Sequence, residues 1–243
     1  KSNAWKESKI EKRKKKTMRK ENITKEEWLE LRRGKITSTL ASAVIGKNPY
    51  LTNTKAYQIV KGLIEPDDIS NKEYVIKGNK AEDHIRKLFA LDHPQYEVEV
   101  IKEGTYSIFI SDKHPFIAAS GDGKVLDKES GKKGLLEIKT TEILSSIHKE
   151  KWSFSKEDGV LIPEQYYIQV LCEMYCAEVD FVILVVELKY SDESTARRTI
   201  RINREEVQEE MDYLIDELVR FYENNILKGV EPPLIINLWG EKK

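Results

Sequence analysis

The sequence predicts a mixed α/β protein, and three patterns in it support that class. Segments with apolar residues at helical spacing are interspersed with shorter segments in which apolar and polar residues alternate. The run from Phe181 to Val186 is apolar throughout but stops after six residues, which is typical of a buried strand. Gly131 and Gly134 enclose a turn between two strand segments, as in a hairpin. We therefore expect a mixed central β-sheet flanked by helices.

The same two periodicities place the elements along the chain. Helices are expected near residues 24–33, 38–46, 54–62, 73–92, 142–150, 163–177 and 204–227. Strands are expected near residues 97–102, 105–111, 116–119, 122–127, 134–140, 180–188 and 196–203. No internal repeat or low-complexity linker divides the chain, so a single domain is predicted for residues 23–243, after a basic tail at residues 1–22.

The first two helices are joined by paired arginines and a run of hydroxyl side chains. Arg32 and Arg33 end the first helix, and Thr37, Ser38 and Thr39 open the second. Hydroxyls and free backbone amides at a helix start, beside an arginine, make an anion site that suits a phosphate. The alternative is a helix cap at Thr37 or Ser38 with two solvated arginines.

The helix expected at 73–92 is amphipathic, with Ile85 and Phe89 one turn apart on its apolar face. Glu82 borders that face. A carboxylate there needs a partner, because an unpaired charge in an apolar setting is costly. A metal ion and a buried arginine are equally good candidates for that partner.

The most informative stretch is the hairpin expected between residues 122 and 140. Side chains alternate across a strand, so Glu137 and Lys139 share one face. Leu136 and Ile138 then pack into the other face. Asp122 opens the preceding strand from a Gly-Asp-Gly turn and is expected beside Glu137. Taken alone, so short a pattern is more often a surface hairpin with a Glu/Lys pair.

The residue types in this hairpin suit phosphodiester cleavage. Magnesium prefers oxygen ligands and keeps several waters, so one or two carboxylates and a substrate phosphate are enough to hold it. Lys139 would orient the attacking water and offset the negative charge that builds up in the transition state. The sequence therefore predicts a magnesium-dependent phosphodiesterase site here.

The helix expected at 163–177 begins at Pro163, which suits a first helical turn, and carries apolar residues at helical spacing. Gln169 lies on its core-facing side, where an amide could hold a water, a metal-bound water or a DNA phosphate. Backbone hydrogen bonds are the alternative for such an amide. Before this helix, Trp152 and Phe154 are expected in a loop that either stacks on a base or covers the core.

The last helix is expected to end at Pro232-Pro233, since proline cannot continue a helix. The segment 234–239 would then dock on the body or on a neighbouring molecule.

Composition excludes several classes of protein. At 243 residues and 40% hydrophobic content the chain can bury one sizeable core, and no apolar run approaches membrane length. The basic amino terminus lacks the apolar segment of a signal peptide. Cys172 and Cys176 are four residues apart on an expected helix, which indicates neither a disulfide framework nor a four-cysteine metal site. They argue against an iron–sulfur nuclease and fit a reducing cytoplasm.

The charge is distributed unevenly. The net charge is −1, yet residues 1–35 carry +8 and the remainder carries −9. The basic run at residues 12–16 either contacts DNA backbone or is a solvated tail, and residues 2–4 resemble a cloning remnant. An acidic body suits a protein that admits DNA only through a local basic channel, which an oligomeric ring could supply.

The order of these pieces resembles the YqaJ-like viral recombinase family, of the phage lambda exonuclease type in the PD-(D/E)xK nuclease superfamily. The resemblance runs from about Trp28 to Tyr175 and rests on Trp28-x-x-Leu31-Arg32-x-Gly34-x-Ile36-Thr37, Gly46-x-Asn48-Pro49-Tyr50, Gly78-x-x-x-Glu82, Ser120-x-Asp122-Gly123, Glu137-Ile138-Lys139 and Gln169. It implies a restriction-endonuclease-like core. It also implies magnesium-dependent, processive digestion of linear duplex DNA from the 5′ end, leaving 3′ single-stranded overhangs for recombination, with Mn²⁺ as a substitute for Mg²⁺.

By position, the resemblance implies catalytic roles for Glu82, Asp122, Glu137, Lys139 and Gln169. Asp122 and Glu137 would be metal ligands together with the backbone carbonyl of Ile138, and Glu82 is a candidate for a further ligand. Lys139 would orient or activate the water, and Gln169 would support the water or the metal. Whether one or two metals act depends on where Glu82 points.

The resemblance also implies a site for the 5′-phosphate. Arg32 would receive the phosphate and Thr39 would stand at the position of a helper hydroxyl, where the lambda enzyme has a serine. The Ser-Pro-Asp-Gly of that enzyme is Ser120-Gly121-Asp122-Gly123 here, which loses a rigid proline but keeps the carboxylate.

The partners implied by the resemblance are double-stranded DNA ends, further copies of the chain in a trimeric ring, and a single-strand annealing protein. No membrane is expected, and the location would be the cytoplasm of a bacterial host, with a phage or prophage origin. Two alternatives stay open: a structure- or sequence-selective endonuclease with the same metal site, and a non-catalytic DNA-binding recombination protein.

Overall fold

A computed structural model describes residues 18–99, 101–102, 104–143, 152–155 and 159–235. The expectations for residues 2–4, for the basic run at 12–16, for residues 144–150 of the predicted helix and for residues 236–239 of the closing segment lie outside these residues. None of the helices in these ranges is both long and apolar enough to cross a membrane.

Within the described residues the chain forms six α-helices. They are α1 (Lys25–Arg32), α2 (Ser38–Val44), α3 (Asn53–Val60), α4 (Glu73–Asp92), α5 (Glu164–Ala177) and α6 (Gln208–Phe221). A 3₁₀ turn at Arg204–Glu206 precedes α6, and a π-helical turn at Tyr222–Leu227 follows it.

A five-stranded mixed sheet forms the centre of the molecule. Its strands are β3 (Tyr96–Val98), β6 (Gly123–Asp127), β7 (Lys133–Ile143), β10 (Phe181–Tyr190) and β11 (Thr195–Asn203). The order is β11-β10-β7-β6-β3, in which β7 and β10 are parallel and the other pairs are antiparallel. This is the predicted central sheet, and the mixed α/β class is confirmed.

The remaining strands lie in a second sheet and a small hairpin. The second sheet contains β1 (Met18–Ile23), β2 (Ile36–Thr37), β4 (Tyr106–Ile110) and β5 (Ile117–Ala119), in the order β1-β4-β5-β2. The hairpin pairs β8 (Ser153–Ser155) with β9 (Gly159–Leu161).

Helix α5 lies between the two sheets. Its apolar residues join one buried cluster with Ile36 and Phe109 of the second sheet and with Leu135 and Val182 of the central sheet. On the opposite face of the central sheet, Ile85 and Phe89 of α4 pack in a separate cluster with β7, β10 and Phe181. The central sheet is therefore covered on both faces, and the two faces of β7 meet different helices.

Several predicted elements differ from the structure. Residues 18–22, which were placed in the basic tail, form most of β1, and the Met18 amide donates to Asp112 Oδ1 at 3.0 Å. Residues 142–143, predicted to begin a helix, continue strand β7. The predicted loop around Trp152 and Phe154 contains the β8–β9 hairpin. Trp152 is buried and covers the core, which was one of the two alternatives for this segment.

The last helix ends before the proline pair. Its final turn closes at Leu227, and Gly229 adopts a left-handed conformation with φ of 66°. Glycine supplies this conformation without the steric cost that other residues have, so the chain turns there and not at Pro232-Pro233. The following residues dock on the body, since the Asn53 side chain donates to the Pro233 carbonyl at 2.8 Å and accepts from the Ile235 amide at 2.9 Å.

Candidate active site

The hairpin of β6 and β7 brings Asp122 beside Glu137. Gly123 pairs with Leu136, and the Asp122 amide donates to the Leu136 carbonyl at 2.9 Å. The Asp122 carboxylate in turn accepts the backbone N–H of Ile138 through Oδ2 at 2.7 Å. From the described residues, its other oxygen accepts no hydrogen bond. One oxygen of Asp122 is therefore fixed to β7 and the other is available.

Glu137 and Lys139 share the face of β7 that meets α5, as predicted from the alternation of the strand. Glu137 is buried, with 2% of its surface exposed. Its Oε1 accepts from the Lys139 ammonium and, at 2.6 Å, from Nε2 of Gln169 on α5. Leu136 and Ile138 point to the other face and pack against α4. The structure thus brings together Asp122, Glu137, Lys139 and Gln169.

The charges of these groups shift one another's pKa values. Burial, and then the nearby charge of Asp122, raise the pKa of Glu137 to about 8. Burial alone would lower the pKa of Lys139, but the charges of Glu137 and Asp122 outweigh it and raise that pKa above its usual value. Lys139 is therefore a protonated donor at neutral pH.

Glu82 reaches the same region from α4. Burial and the charge of Asp122 raise the pKa of Glu82 to about 7. An arginine was one of the two alternatives for its partner, but Arg86 contacts other groups: its Nε donates to the Asp122 carbonyl at 2.8 Å, and its Nη1 lies 3.4 Å from Asp83. Among the described residues no side chain forms a hydrogen bond or ion pair with Glu82, which leaves its carboxylate open to a cation.

Helix α4 approaches β7 closely at Gly78. A Cβ atom at this position would lie 3.3 Å from Thr140 Oγ1. The glycine therefore lets the helix lie close against the strand, one turn before Glu82. In the Gly78-x-x-x-Glu82 motif, the glycine thus allows a close approach one turn before the carboxylate.

Two residues beside the site were not predicted from the sequence. Glu173 on α5 is fully buried, and its Oε1 accepts from Gln169 Nε2 at 2.7 Å. Burial raises the pKa of Glu173 well above its usual range. Tyr166 places its ring 5.4 Å from the Lys139 ammonium. A signal for Glu173 was present, because a charged residue one helical turn after Gln169 interrupts an otherwise apolar face.

Arg32 and Thr39 lie together at the start of α2. Arg32 Nη2 is 3.5 Å from Thr39 Oγ1, which in turn lies 3.0 Å from Thr37 Oγ1. The guanidinium stacks over Trp28, 4.1 Å from the ring centroid, and burial lowers its pKa to about 10. No carboxylate among the described residues pairs with it, whereas Arg33 pairs with Glu30 at 3.0 Å.

The helix-cap alternative for Thr37 is therefore only partly met. Thr37 is the residue before α2, but its side chain makes no capping hydrogen bond and contacts Thr39 instead. A desolvated guanidinium with two hydroxyls and no counter-ion is suited to bind a phosphate.

Trp28 connects this anion site to the carboxylates. Its indole N–H donates to Ser120 Oγ at 2.9 Å, and Ser120 precedes Asp122 by two residues. The anion site and the Asp122 turn are thus held in one fixed arrangement.

The donor set fits a hard divalent cation. Asp122, Glu137 and the Ile138 carbonyl offer oxygen ligands, and the pKa of Glu137 is raised first by burial and then by the nearby charge of Asp122. In the described ranges no three His, Cys, Asp or Glu side chains already converge on a single point. Magnesium tolerates such a site, because it keeps several of its waters.

Comparison with known proteins places the chain in context. A family model described as the YqaJ-like viral recombinase domain matches residues 27–180, which is more than half of the chain. An uncharacterised protein of Acanthamoeba polyphaga mimivirus, R354, is 30% identical over 161 residues. That match covers 63% of this chain but only 27% of the mimivirus protein, so the chain spans about a quarter of that relative.

Two solved structures share the fold. The alkaline exonuclease LHK-Exo from Laribacter hongkongensis aligns with a TM-score of 0.54 at 20% identity, covering 84% of this chain and 97% of that one. Its complex with dAMP aligns with the same TM-score and coverage at 22% identity. At this identity the likeness shows the fold, which is the restriction-endonuclease-like core that the sequence predicted.

Proposed function

The chain belongs to the YqaJ-like viral recombinase family, and from this premise we propose that it is a magnesium-dependent deoxyribonuclease. It digests linear double-stranded DNA from 5′ to 3′ and leaves 3′ single-stranded overhangs for phage-type recombination. A single nuclease domain would begin at residue 18 and not at residue 23, because β1 pairs with β4, and Mn²⁺ would substitute for Mg²⁺.

The observation that carries this proposal is the fixed pairing of two sites. One contains Asp122, Glu137 and Lys139, and the other contains Arg32. The hydrogen bond from Trp28 to Ser120 joins them. Among the described residues no carboxylate pairs with Arg32, so its charge is available to a phosphate. An enzyme that starts at a chain end needs a place for the terminal phosphate.

Each residue of the proposed cutting site has its own role. Asp122 and Glu137, with the Ile138 carbonyl, would hold the magnesium ion, which supplies charge stabilisation and a water that ionises more readily. Lys139, protonated and held by Glu137, donates a hydrogen bond to the attacking water or to a phosphate oxygen. Gln169 holds the Glu137 carboxylate in place.

Arg32, Thr37 and Thr39 bind the 5′-phosphate in this proposal. The guanidinium is desolvated, and in the described part of the chain no carboxylate pairs with it and would have to be released before it binds the phosphate. Its charge therefore acts fully on a terminal phosphate, which carries more negative charge than an internal one. This difference favours digestion from a 5′-phosphorylated end.

Related proteins suggest the product and the partners. LHK-Exo forms a complex with dAMP, which is a mononucleotide, and we propose that this chain releases mononucleotides. A homo-oligomeric ring around DNA and a single-strand annealing partner are proposed from family membership.

The test compares three DNA substrates of one sequence: a 5′-phosphorylated linear duplex, the same duplex with 5′-hydroxyl ends, and a covalently closed circle. Each is incubated with Mg²⁺ and with a chelator. We expect Mg²⁺-dependent loss of the 5′ strand from the phosphorylated duplex, slower digestion of the 5′-hydroxyl duplex, and an intact circle.

Other outcomes decide between the alternatives. Cleavage of the circle would replace the exonuclease by an endonuclease with the same metal site. Retained duplex binding without any metal-dependent cleavage would favour a non-catalytic DNA-binding protein.

A further inference from the structure

Glu173 is a fully buried carboxylate that none of the roles above uses. We propose that Glu173 is a positioning residue, which fixes the amide of Gln169 and through it the carboxylate of Glu137. This proposal rests on the nuclease function for its effect on turnover, whereas the contact itself can be tested without it.

The hydrogen bonds of Gln169 carry the first step. Its Nε2 donates to Glu137 Oε1 at 2.6 Å and to Glu173 Oε1 at 2.7 Å. An amide nitrogen has two N–H groups, and both are used by carboxylates. The reversed amide would withdraw both N–H groups from these two oxygens. The contacts with Glu137 and Glu173 therefore favour the orientation in which Nε2 faces them.

The second step concerns Glu137. The Lys139 ammonium and the Gln169 amide both donate to the same oxygen, Oε1. Together they determine how the Glu137 carboxylate is turned. When Glu173 is absent, one N–H of Gln169 loses its acceptor, and the amide can rotate away from Glu137. The orientation of a proposed metal ligand thus depends on Glu173.

The third step is the cost of keeping Glu173. Glu173 is 0% exposed, and among the described residues its Oε2 has no hydrogen-bond partner. A buried carboxylate with an unsatisfied oxygen destabilises the folded state, and an apolar residue of similar volume is often neutral or stabilising there. Stability of α5 therefore does not account for a glutamate at this position.

The experiment is a double-mutant cycle on kcat with Glu173→Leu, Gln169→Leu and the double variant. Glu173→Leu should lower kcat about 10- to 100-fold, which is typical for partners that orient metal ligands, with Tm unchanged or raised. In the Gln169→Leu background the same change should cost nothing further. Glu173→Gln, which keeps an acceptor for the amide, should restore most of the activity.

The matched control is Leu171→Val on the same helix. Leu171 is buried in the core and forms no hydrogen bond with Gln169 or Glu173. Shortening its side chain should therefore lower Tm and leave kcat unchanged. Equal losses of kcat from Glu173→Leu in the presence and absence of Gln169 would overturn the positioning role, as would an unchanged kcat in Glu173→Leu.

A second measurement does not depend on nuclease activity. With ¹⁵N-labelled glutamine, the side-chain amide of Gln169 can be identified among the five glutamines by its loss in Gln169→Leu. Its two protons should exchange slowly with water in the native protein and rapidly in Glu173→Leu, with slow exchange restored in Glu173→Gln. If the wild-type chain cuts no DNA, the proposed function fails while this measurement still decides the contact. If exchange is the same in all variants, the positioning role fails whatever the activity.

Discussion

At the scale of single residues, the candidate site is defined by which carboxylate oxygens accept hydrogen bonds and which do not. Asp122 uses Oδ2 to hold the Ile138 amide, and Glu137 uses Oε1 to hold Lys139 and Gln169. The hydrogen bonds therefore fix both carboxylates before any cation arrives, and pre-organised ligands of this kind need little rearrangement when the metal binds.

Lys139→Ala should lower kcat at least about 100- to 1000-fold, because it removes a charged donor aimed at the attacking water or the phosphate. DNA affinity should change little, and Tm should fall, because the buried Glu137 loses the cation that pairs with it. The matched control is Lys132→Ala, a lysine in the β6–β7 turn whose side chain is 42% exposed. Single-turnover cleavage at saturating enzyme measures the effect, and substantial activity in Lys139→Ala would contradict the proposed mechanism.

Arg32→Ala should abolish the preference for a 5′-phosphate, since the charge that distinguishes phosphate from hydroxyl is lost. Initial rates on the two linear duplexes should converge, with the larger fall on the phosphorylated one. Arg33→Ala is the neighbouring control, because that guanidinium is exposed and pairs with Glu30. A preference that survives in Arg32→Ala would place the phosphate elsewhere.

Stability should depend on pH in a direction set by the buried carboxylates. The pKa of Glu137 is about 8 in the folded chain against 4.5 for an ordinary glutamate. Between these values the folded state holds a proton that the unfolded state releases, so the free energy of unfolding falls as pH rises. Glu82 acts in the same direction.

Denaturant unfolding in chelator from about pH 4.5 to 8 should show this fall. Mg²⁺ should oppose it at the upper end, because the cation replaces the protons. Glu137→Gln should reduce the slope, and a slope that is unchanged in this variant would contradict the assigned pKa shift.

At the scale of elements, strand β7 explains most of what the sequence could predict. Its alternation correctly predicted that Glu137 and Lys139 share a face, because a strand buried on both sides leaves no other register. Strands β1 and β2 were not predicted, each for its own reason. Five of the six residues of β1 are exposed and most are polar, and β2 has only two residues, so neither shows a periodicity.

Gly134 on β7 faces a side chain of β10 that leaves no room for a Cβ atom. It pairs with Phe181, whose ring would lie 2.3 Å from a Cβ atom at position 134. Gly134→Ala should therefore destabilise the fold by roughly 1–3 kcal/mol through overpacking. Urea unfolding measures the loss, and Phe181→Leu should relieve part of it in the double variant. Strictly additive losses would show that the ring is not the obstacle.

At the scale of the whole molecule, the sequence predicted the class and the central sheet but not the second one. The second sheet pairs β1 with β4 and β2 with β5, strands that are far apart in the chain. No local pattern encodes such pairing, because the paired residues lie far apart in the sequence. The contact of Glu173 with the site escaped prediction for the same reason, since a helical position does not show which strand residue it meets.

The uneven charge is a property of the whole chain with a measurable effect. Residues 1–35 carry +8 on a chain of net −1, so we expect this end to supply much of the non-specific attraction to DNA. Removing residues 1–17 should make log K against log salt less steep by on the order of 3 units. The rate of metal-dependent cleavage at saturating DNA should not change. An unaltered salt dependence would favour the solvated tail.

The hydrogen bond from Trp28 to Ser120 has a consequence for the products that the proposed enzyme would release. If Arg32 binds the end of a strand and Asp122 lies at the cut, this bond would set the distance between the two. Products should then have one length. Trp28→Phe keeps a ring beneath Arg32 but lacks the N–H, so its products should spread over two or more lengths in chromatography. Tyr106→Phe leaves the N–H bond intact and should not change them. A tryptophan outside the proposed cutting site would then determine the length of each product.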